Sequence, residues 1–323
     1  MKFETERKLL DLVTIASEVL ASSEGGLAPY APHPGDLLWW TCYLGILDDP
    51  EAENARFVGP LDAPAGWGFV SAKGGTVDAF TPQFSDGVRL AAYEEGLREL
   101  SGAGSAKTVL TWISEDDGPA RDWASLGGFE PSGEGYTIMT LELGIDGSRF
   151  AGSGRARAAK SSTVSKGDPL ILGMDTAFAG ALVEGPAFDG ESRALAQRSA
   201  FGASMPVPRY LERFALFRSS LAWNLGIDVT LGPAPEVLAF ARVWPDALSG
   251  VALLEPLGVR EDAMGRGLGR AVLSLAARAA CRSGMRSLRV AVEMGNERAA
   301  ALYKDFGFTT LGEIPTLART RDK

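Results

Sequence analysis

The chain has 323 residues, 46% of them hydrophobic and 23% charged, which suffices for substantial apolar cores and, at roughly 100–200 residues per domain, for two domains. Its 32 Lys and Arg against 41 Asp and Glu leave a formal net charge of −9, which excludes a nucleic-acid coat, since neutralising phosphates takes a basic surplus. One histidine and two cysteines exclude a disulfide framework, a His/Cys metal site and most imidazole catalysis, and they point to a reducing cytoplasm.

The opening residues Met1-Lys2-Phe3-Glu4-Thr5-Glu6-Arg7 mix charges into the apolar positions and are not expected to be a signal peptide. No run of about 18 apolar residues follows, so no membrane partner is expected. Pro32-His33-Pro34-Gly35 reads as a turn with His33 as a surface loop residue. Trp39, Trp40, Trp67, Trp112 and Trp123 crowd the first half and read as aromatic core; the alternative lines an interdomain cleft with some of them.

Apolar residues at three- and four-residue spacing predict a helix from Gly87 to Leu100. The tract Gly102 to Thr108 lacks the glycine before lysine of a Walker A loop and precedes a strand, so it reads as a helix-to-strand turn. Val109 to Ile113 is strand-like, Asp117-Gly118-Pro119-Ala120 opens a helix, and Gly128-Phe129 stops it. The Gly/Ser/Ala-rich residues 147–168 read as a linker, which divides the chain into residues 1–155 and 156–323.

In the second half, Val207 to Arg218 predicts an amphipathic helix that either walls the acceptor side of a site or packs on a sheet. Val251 to Val259 predicts a strand, Gly269 to Ser283 a helix, and Leu288 to Val292 another strand. Asn296 opens the next helix and Gly307-Phe308 stops it. The register that places Asp117 opposite Asn296 matches strand, cap, helix and Gly-Phe stop in order, so two copies of one α/β unit are the simplest account, a chance match being the alternative.

Gly265-Arg266-Gly267-Leu268-Gly269-Arg270 stands between a strand and an apolar helix. That order makes an anion cradle: glycines admit the ligand to the backbone, N–H groups point at phosphate oxygens, and the helix dipole favours negative charge. Arg266 and Arg270 can add charge-assisted hydrogen bonds. The dinucleotide fingerprint does not fit, because Arg270-Ala271-Val272 follows the glycines and the wider register is wrong.

With these residues in hand, 236–312 resemble the core of the GNAT superfamily of acyl-CoA-dependent N-acyltransferases. The family's acyl-CoA loop, Gln/Arg-x-x-Gly-x-Gly/Ala, falls on Met264 to Gly269, with methionine where the family usually has Gln or Arg. Its second signature falls on Asn296, Ala299, Tyr303, Gly307 and Phe308. The resemblance implies a mixed α/β (α+β) sheet and two GNAT-like domains in tandem. The N-terminal copy is expected to be degenerate, because Val88, Leu90 and Asp86 replace the cradle residues and Ala124 stands opposite Tyr303.

It also implies acetyl-CoA as co-substrate and no metal. Contacts would come from the backbone of Leu257, Gly258 and Val259, from Met264, Gly265, Arg266, Gly267, Leu268, Gly269 and Arg270, and from Asn296 and Tyr303. Pro256 removes a ladder donor and Gly258 permits a bulge, which would splay this strand from its neighbour. Tyr303 takes the general-acid position; Glu255 is the candidate base, with Glu293 as competitor. The expected reaction is acetyl transfer to an amine, of a small molecule, by direct transfer in a ternary complex. A protein or peptide amine, or a non-catalytic acyl-CoA-binding module, are the alternatives. Asp246, Glu255 and Glu293 favour a cationic acceptor. The oligomeric state is unreadable.

Overall fold

The computed structural model describes residues 118–144, 189–202, 205–233 and 235–320, with shorter stretches at 13–14, 16–18, 20–21, 33–43, 67–71, 76–80, 107–110 and 171–176. The expected helix at Gly87 to Leu100, the degenerate cradle at Asp86 to Leu90 and the linker at 147–168 lie outside these residues.

Two compact units interleave along the chain. The first comprises 1–140, 291–300 and 309–323; the second comprises 141–290 and 301–308. In the first, helix α1 (Pro34–Tyr43) precedes the hairpin β1 (Trp67–Ser71) and β2 (Thr76–Phe80), then β3 (Lys107–Leu110), α2 (Gly118–Leu126) and β4 (Glu130–Glu142). The C-terminal strand β10 (Thr309–Thr320) runs antiparallel to both β3 and β4 and so sits between them. Gly128 stops α2 with φ of 75°, and Phe129 is buried against the Trp123 ring, centroids 6.5 Å apart. Trp39 is also buried, which agrees with the core reading for it, while Trp123 is half-buried.

The expectation for His33 is overturned. It is fully buried ahead of α1: its N–H donates to Asp36 Oδ2 at 2.9 Å and its Nδ1 accepts from the Gly35 N–H at 2.9 Å. The imidazole satisfies a first-turn donor that Pro34 and Gly35 have no side-chain oxygen to satisfy, so the local Pro-His-Pro-Gly pattern is a helix cap folded inward.

In the second unit β5 (Ile171–Thr176), β6 (Ile227–Gly232), β7 (Ala239–Asp246) and β8 (Val251–Val259) form an antiparallel ladder in that order. The start of β9 (Ser287–Glu293) joins β8 in parallel, which makes the sheet mixed. Helices α3 (Gly190–Phe201), α4 (Val207–Arg218), α5 (Leu221–Asn224) and α6 (Leu268–Arg282) belong here, and α7 (Glu297–Phe306) follows β9. Strand β6 is buried throughout and β7 nearly so, as a sheet covered on both faces requires.

Helix α6 buries Val272, Leu273, Ala276, Ala277 and Ala280, an i, i+4 stripe of mostly small side chains that seats it against β6, β7 and β8. Helix α3 packs on β7 and β8, where Phe240, Ala196 and Val237 share one core. Helix α4 has the bounds predicted from periodicity; Phe214 and Phe217 meet Trp223 edge-on. Among the described residues no helix is long and apolar enough to cross a membrane.

Candidate active site

Strand β8 carries two features that ordinary ladder geometry would not produce. Its parallel register with β9 covers Val251–Leu253 against Ser287–Arg289 and ends there. Its antiparallel register with β7 slips: Val243 faces Leu254 while Ala241 faces Leu257, so Glu255 and Pro256 together stand against Arg242. This is a β-bulge, and Pro256, which has no N–H to give the ladder, is half of it. The Glu255–Pro256 peptide is cis.

Beyond the bulge Leu257 and Val259 are partly exposed while Gly258 is buried, the two-residue alternation of a strand with one open face. The bulge does not lie at Gly258, which pairs regularly with Phe240. A Cβ at Gly258 would stand 2.4 Å from Phe240 Cζ and 2.8 Å from Ala200 Cβ, so close packing of α3 is what requires glycine there.

Past Val259 the chain turns through Arg260 and one 3-10 turn, Glu261–Ala263, into the glycine loop. Gly265 and Gly267 have φ of 78° and 80°, the left-handed region that a side chain disfavours. Gly267 is the N-cap of α6 and lends it no side-chain acceptor, and no acidic residue occupies the first turn. The leading N–H groups of α6 therefore face outward at the positive end of a four-turn dipole, on exposed loop backbone: the donor set an anion needs. A Cβ at Gly269 would lie 3.4 Å from Leu302 and 3.6 Å from Val259, in ordinary contact, so packing alone does not require glycine there.

The arginines divide. Arg266 is exposed on the loop and donates to the Asp262 carbonyl at 3.0 Å. Arg270 turns instead to the C-terminal end of α7: its Nη1 donates to the Asp305 carbonyl at 3.2 Å and its guanidinium lies 5.4 Å from the Phe306 ring centroid. Arg260 bonds to Asp262 and Glu236, and this pairing holds the Asp262 carboxyl below its usual range. A cleft of about 410 Å³ beside the loop is lined by Ser199, Arg260, Glu261 and Asp262; its single cation is already paired, so it is a poor anion site.

Tyr303 lies on α7 in the second unit, buried, its ring 5.2 Å from that of Phe308. Burial first, and then the negative charge of Glu255, push its phenol well above the ordinary 10.0. It stays protonated across physiological pH, which suits a proton donor. Glu255, Leu257, Val259, residues 264–270 and Tyr303 thus all belong to one compact unit. Asn296 and Glu293 belong to the other. Asn296 caps α7, its Oδ1 accepting from the Ala299 N–H at 3.1 Å, and Glu293 is an exposed strand-end carboxylate. Asp246 is drawn into the β7–β8 turn, where Oδ2 accepts from the Ser249 N–H at 3.1 Å; a turn carboxylate so engaged does not support the expected acceptor contact.

Sequence reasoning missed a buried polar layer beneath this site. Arg193 donates to Asp228 at 3.0 Å and to Gln197 at 2.9 Å, and Arg242, directly across from Asp228 on the next strand, lies over Trp223. The only signal was charge in otherwise apolar strands, which periodicity scores as a defect.

Residues 201–308 match the profile of the Acetyltransferase (GNAT) family. They are a GNAT domain. A search of curated proteins found no match. Among solved structures, a tandem GNAT protein from the clavulanic acid biosynthesis pathway, without acetyl-CoA, is similar at 14% identity with a TM-score of 0.60, covering 99% of this chain and 96% of its own. A GCN5-related N-acetyltransferase from Sphaerobacter thermophilus is similar at 16% identity and TM-score 0.52, covering 97% and 93%. An acetyltransferase of the GNAT family from Colwellia psychrerythraea matches at 13% and 0.51, covering 97% of each chain. The fold is therefore that of a tandem GNAT protein, and the residues that match the family profile, 201–308, lie in the second half of the chain.

Proposed function

We propose that the protein transfers the acetyl group of acetyl-CoA to the amine of a small molecule, directly and within a ternary complex. The observation that carries this reading is the parting of β8 from β9 beyond Leu253 and Arg289, beside an α6 N-terminus without a side-chain cap. An extended amide-bearing ligand can add to β8 at Leu257, Gly258 and Val259 as a strand would. Its pyrophosphate then meets the N–H groups of Leu268, Gly269 and Arg270 and the charge of Arg266, while Met264 is an apolar lip, 37% exposed. The residues present fit acetyl-CoA on both counts.

In this reading Glu255 accepts the proton of the attacking amine, directly or through one water. The C–N bond forms as the thioester C–S bond breaks, and the Tyr303 O–H delivers its proton to the departing thiolate sulfur. Orientation of two substrates supplies much of the rate, and backbone N–H donors stabilise the tetrahedral oxyanion. The divergent first half leaves one site per chain, with the junction of the two copies at 155/156.

Calorimetric titration of the whole protein with acetyl-CoA tests the reading, beside a variant carrying Gly267→Glu and Gly269→Glu. One equivalent bound by the wild type and none by the folded variant is expected, followed by turnover in an amine screen. Binding without turnover on any amine, peptide amines included, would leave the acyl-CoA-binding module. Absence of binding to the folded wild type would overturn the cradle.

A further inference from the structure

Acyl transfer by this route requires β8 to leave β9 at a fixed place, and the bulge at Glu255 and Pro256 sets that place. A bulge takes a carbonyl out of the β7 ladder, and a carbonyl so displaced in a buried sheet needs another donor. The indole of Trp244 supplies it: Nε1–H donates to the Glu255 carbonyl at 2.6 Å. Trp244 is 1% exposed and stands on β7 opposite Leu253, the last β8 residue paired with β9. The ring is itself held. The Arg242 guanidinium lies 4.5 Å from its centroid and 3.5 Å from that of Trp223, with the Asp228 carboxylate 3.8 Å from Arg242 Nη1. Gly226 makes room for this stack, since a Cβ there would meet Arg242 Nε at 2.8 Å and the Trp244 ring at 2.9 Å.

We propose that Trp244 is a positioning residue for acyl transfer: its indole N–H holds the Glu255 carbonyl, so that the bulge and the parting of β8 from β9 keep one geometry. The proposal rests on the acyl-CoA reading above. Trp244 touches no reacting atom; it acts through Glu255 and through the backbone of Leu257 and Val259.

Trp244→Phe keeps a ring in the stack and removes the donor. In the folded variant the Kd for acetyl-CoA is expected to rise roughly five- to tenfold, the equivalent of one lost neutral hydrogen bond. The amides of Leu257 and Val259 are expected to exchange faster without any ligand. A purely structural role lowers Tm and leaves both readouts unchanged, and that result would overturn the proposal. Faster exchange in the variant beside a wild type that binds no acetyl-CoA would instead overturn the acyl-CoA reading, and with it the part of Trp244 in transfer. Should the variant not fold, the indole N–H resonance of Trp244 in the wild type decides. It is expected to be protected and to shift as acetyl-CoA is added; an unprotected or unmoved signal would count against the proposal.

Discussion

The phenol of Tyr303 is useful because it is buried: desolvation and the Glu255 charge both disfavour its ionised form, so the proton is kept until a stronger base appears beside it. Tyr303→Phe removes the proton and leaves the cradle intact, so turnover should fall by about 10²–10⁴-fold while calorimetry returns an unchanged Kd for acetyl-CoA. The same shift predicts a pH effect on stability. Below pH 10.0 the phenol is protonated in folded and unfolded chains alike and contributes no slope. Above it the unfolded chain releases the proton and the folded chain holds it, so stability falls as pH rises. Denaturant midpoints at pH 9 and pH 11 should show this fall in the wild type, and a smaller one in Tyr303→Phe.

At the scale of elements, the second unit depends on a charged layer between α3 and the sheet. Asp228 serves Arg193 on the helix and faces Arg242 on the neighbouring strand, with side chains no more than 5% exposed. Asp228→Ala leaves two buried guanidiniums without their carboxylate, at a cost of about 3–5 kcal/mol. Urea unfolding followed by tryptophan fluorescence measures this directly, since Trp223 and Trp244 flank Arg242. A midpoint shift worth under about 1 kcal/mol would mean that water or a rearranged side chain takes the carboxylate's place.

For the whole molecule, the consequential fact is that β10, the last strand of the chain, belongs to the first unit and lies between β3 and β4. Removing residues 309–323 takes the middle strand from that ladder: β3 loses the strand it pairs with, while β4 keeps β9 on its other side. Hydrogen exchange on the truncated chain should show protection lost at Lys107–Leu110 and, in Glu130–Thr140, at the amides that pair with β10. Protection should be retained in Val251–Leu253 and α6, whose pairings do not use β10. Uniform retention would show that β3 holds without it.

Local chemistry determined a good deal of this protein from sequence alone. The bounds of α4 and β8, the glycine loop, the Asn296 cap and the Gly-Phe stops were legible because each depends on neighbours within a few residues: a period, a cap, a positive φ. The GNAT resemblance followed from those same motifs. Contacts across elements decided the rest. Gly258 is glycine because Phe240 and Ala200 crowd it from other elements. Arg270 turns to Asp305, and the bulge sits at Glu255 and Pro256 where an indole from β7 can meet the displaced carbonyl. No periodicity encodes which distant atom fills a given space, and that pairing exists only once the strands and helices have packed.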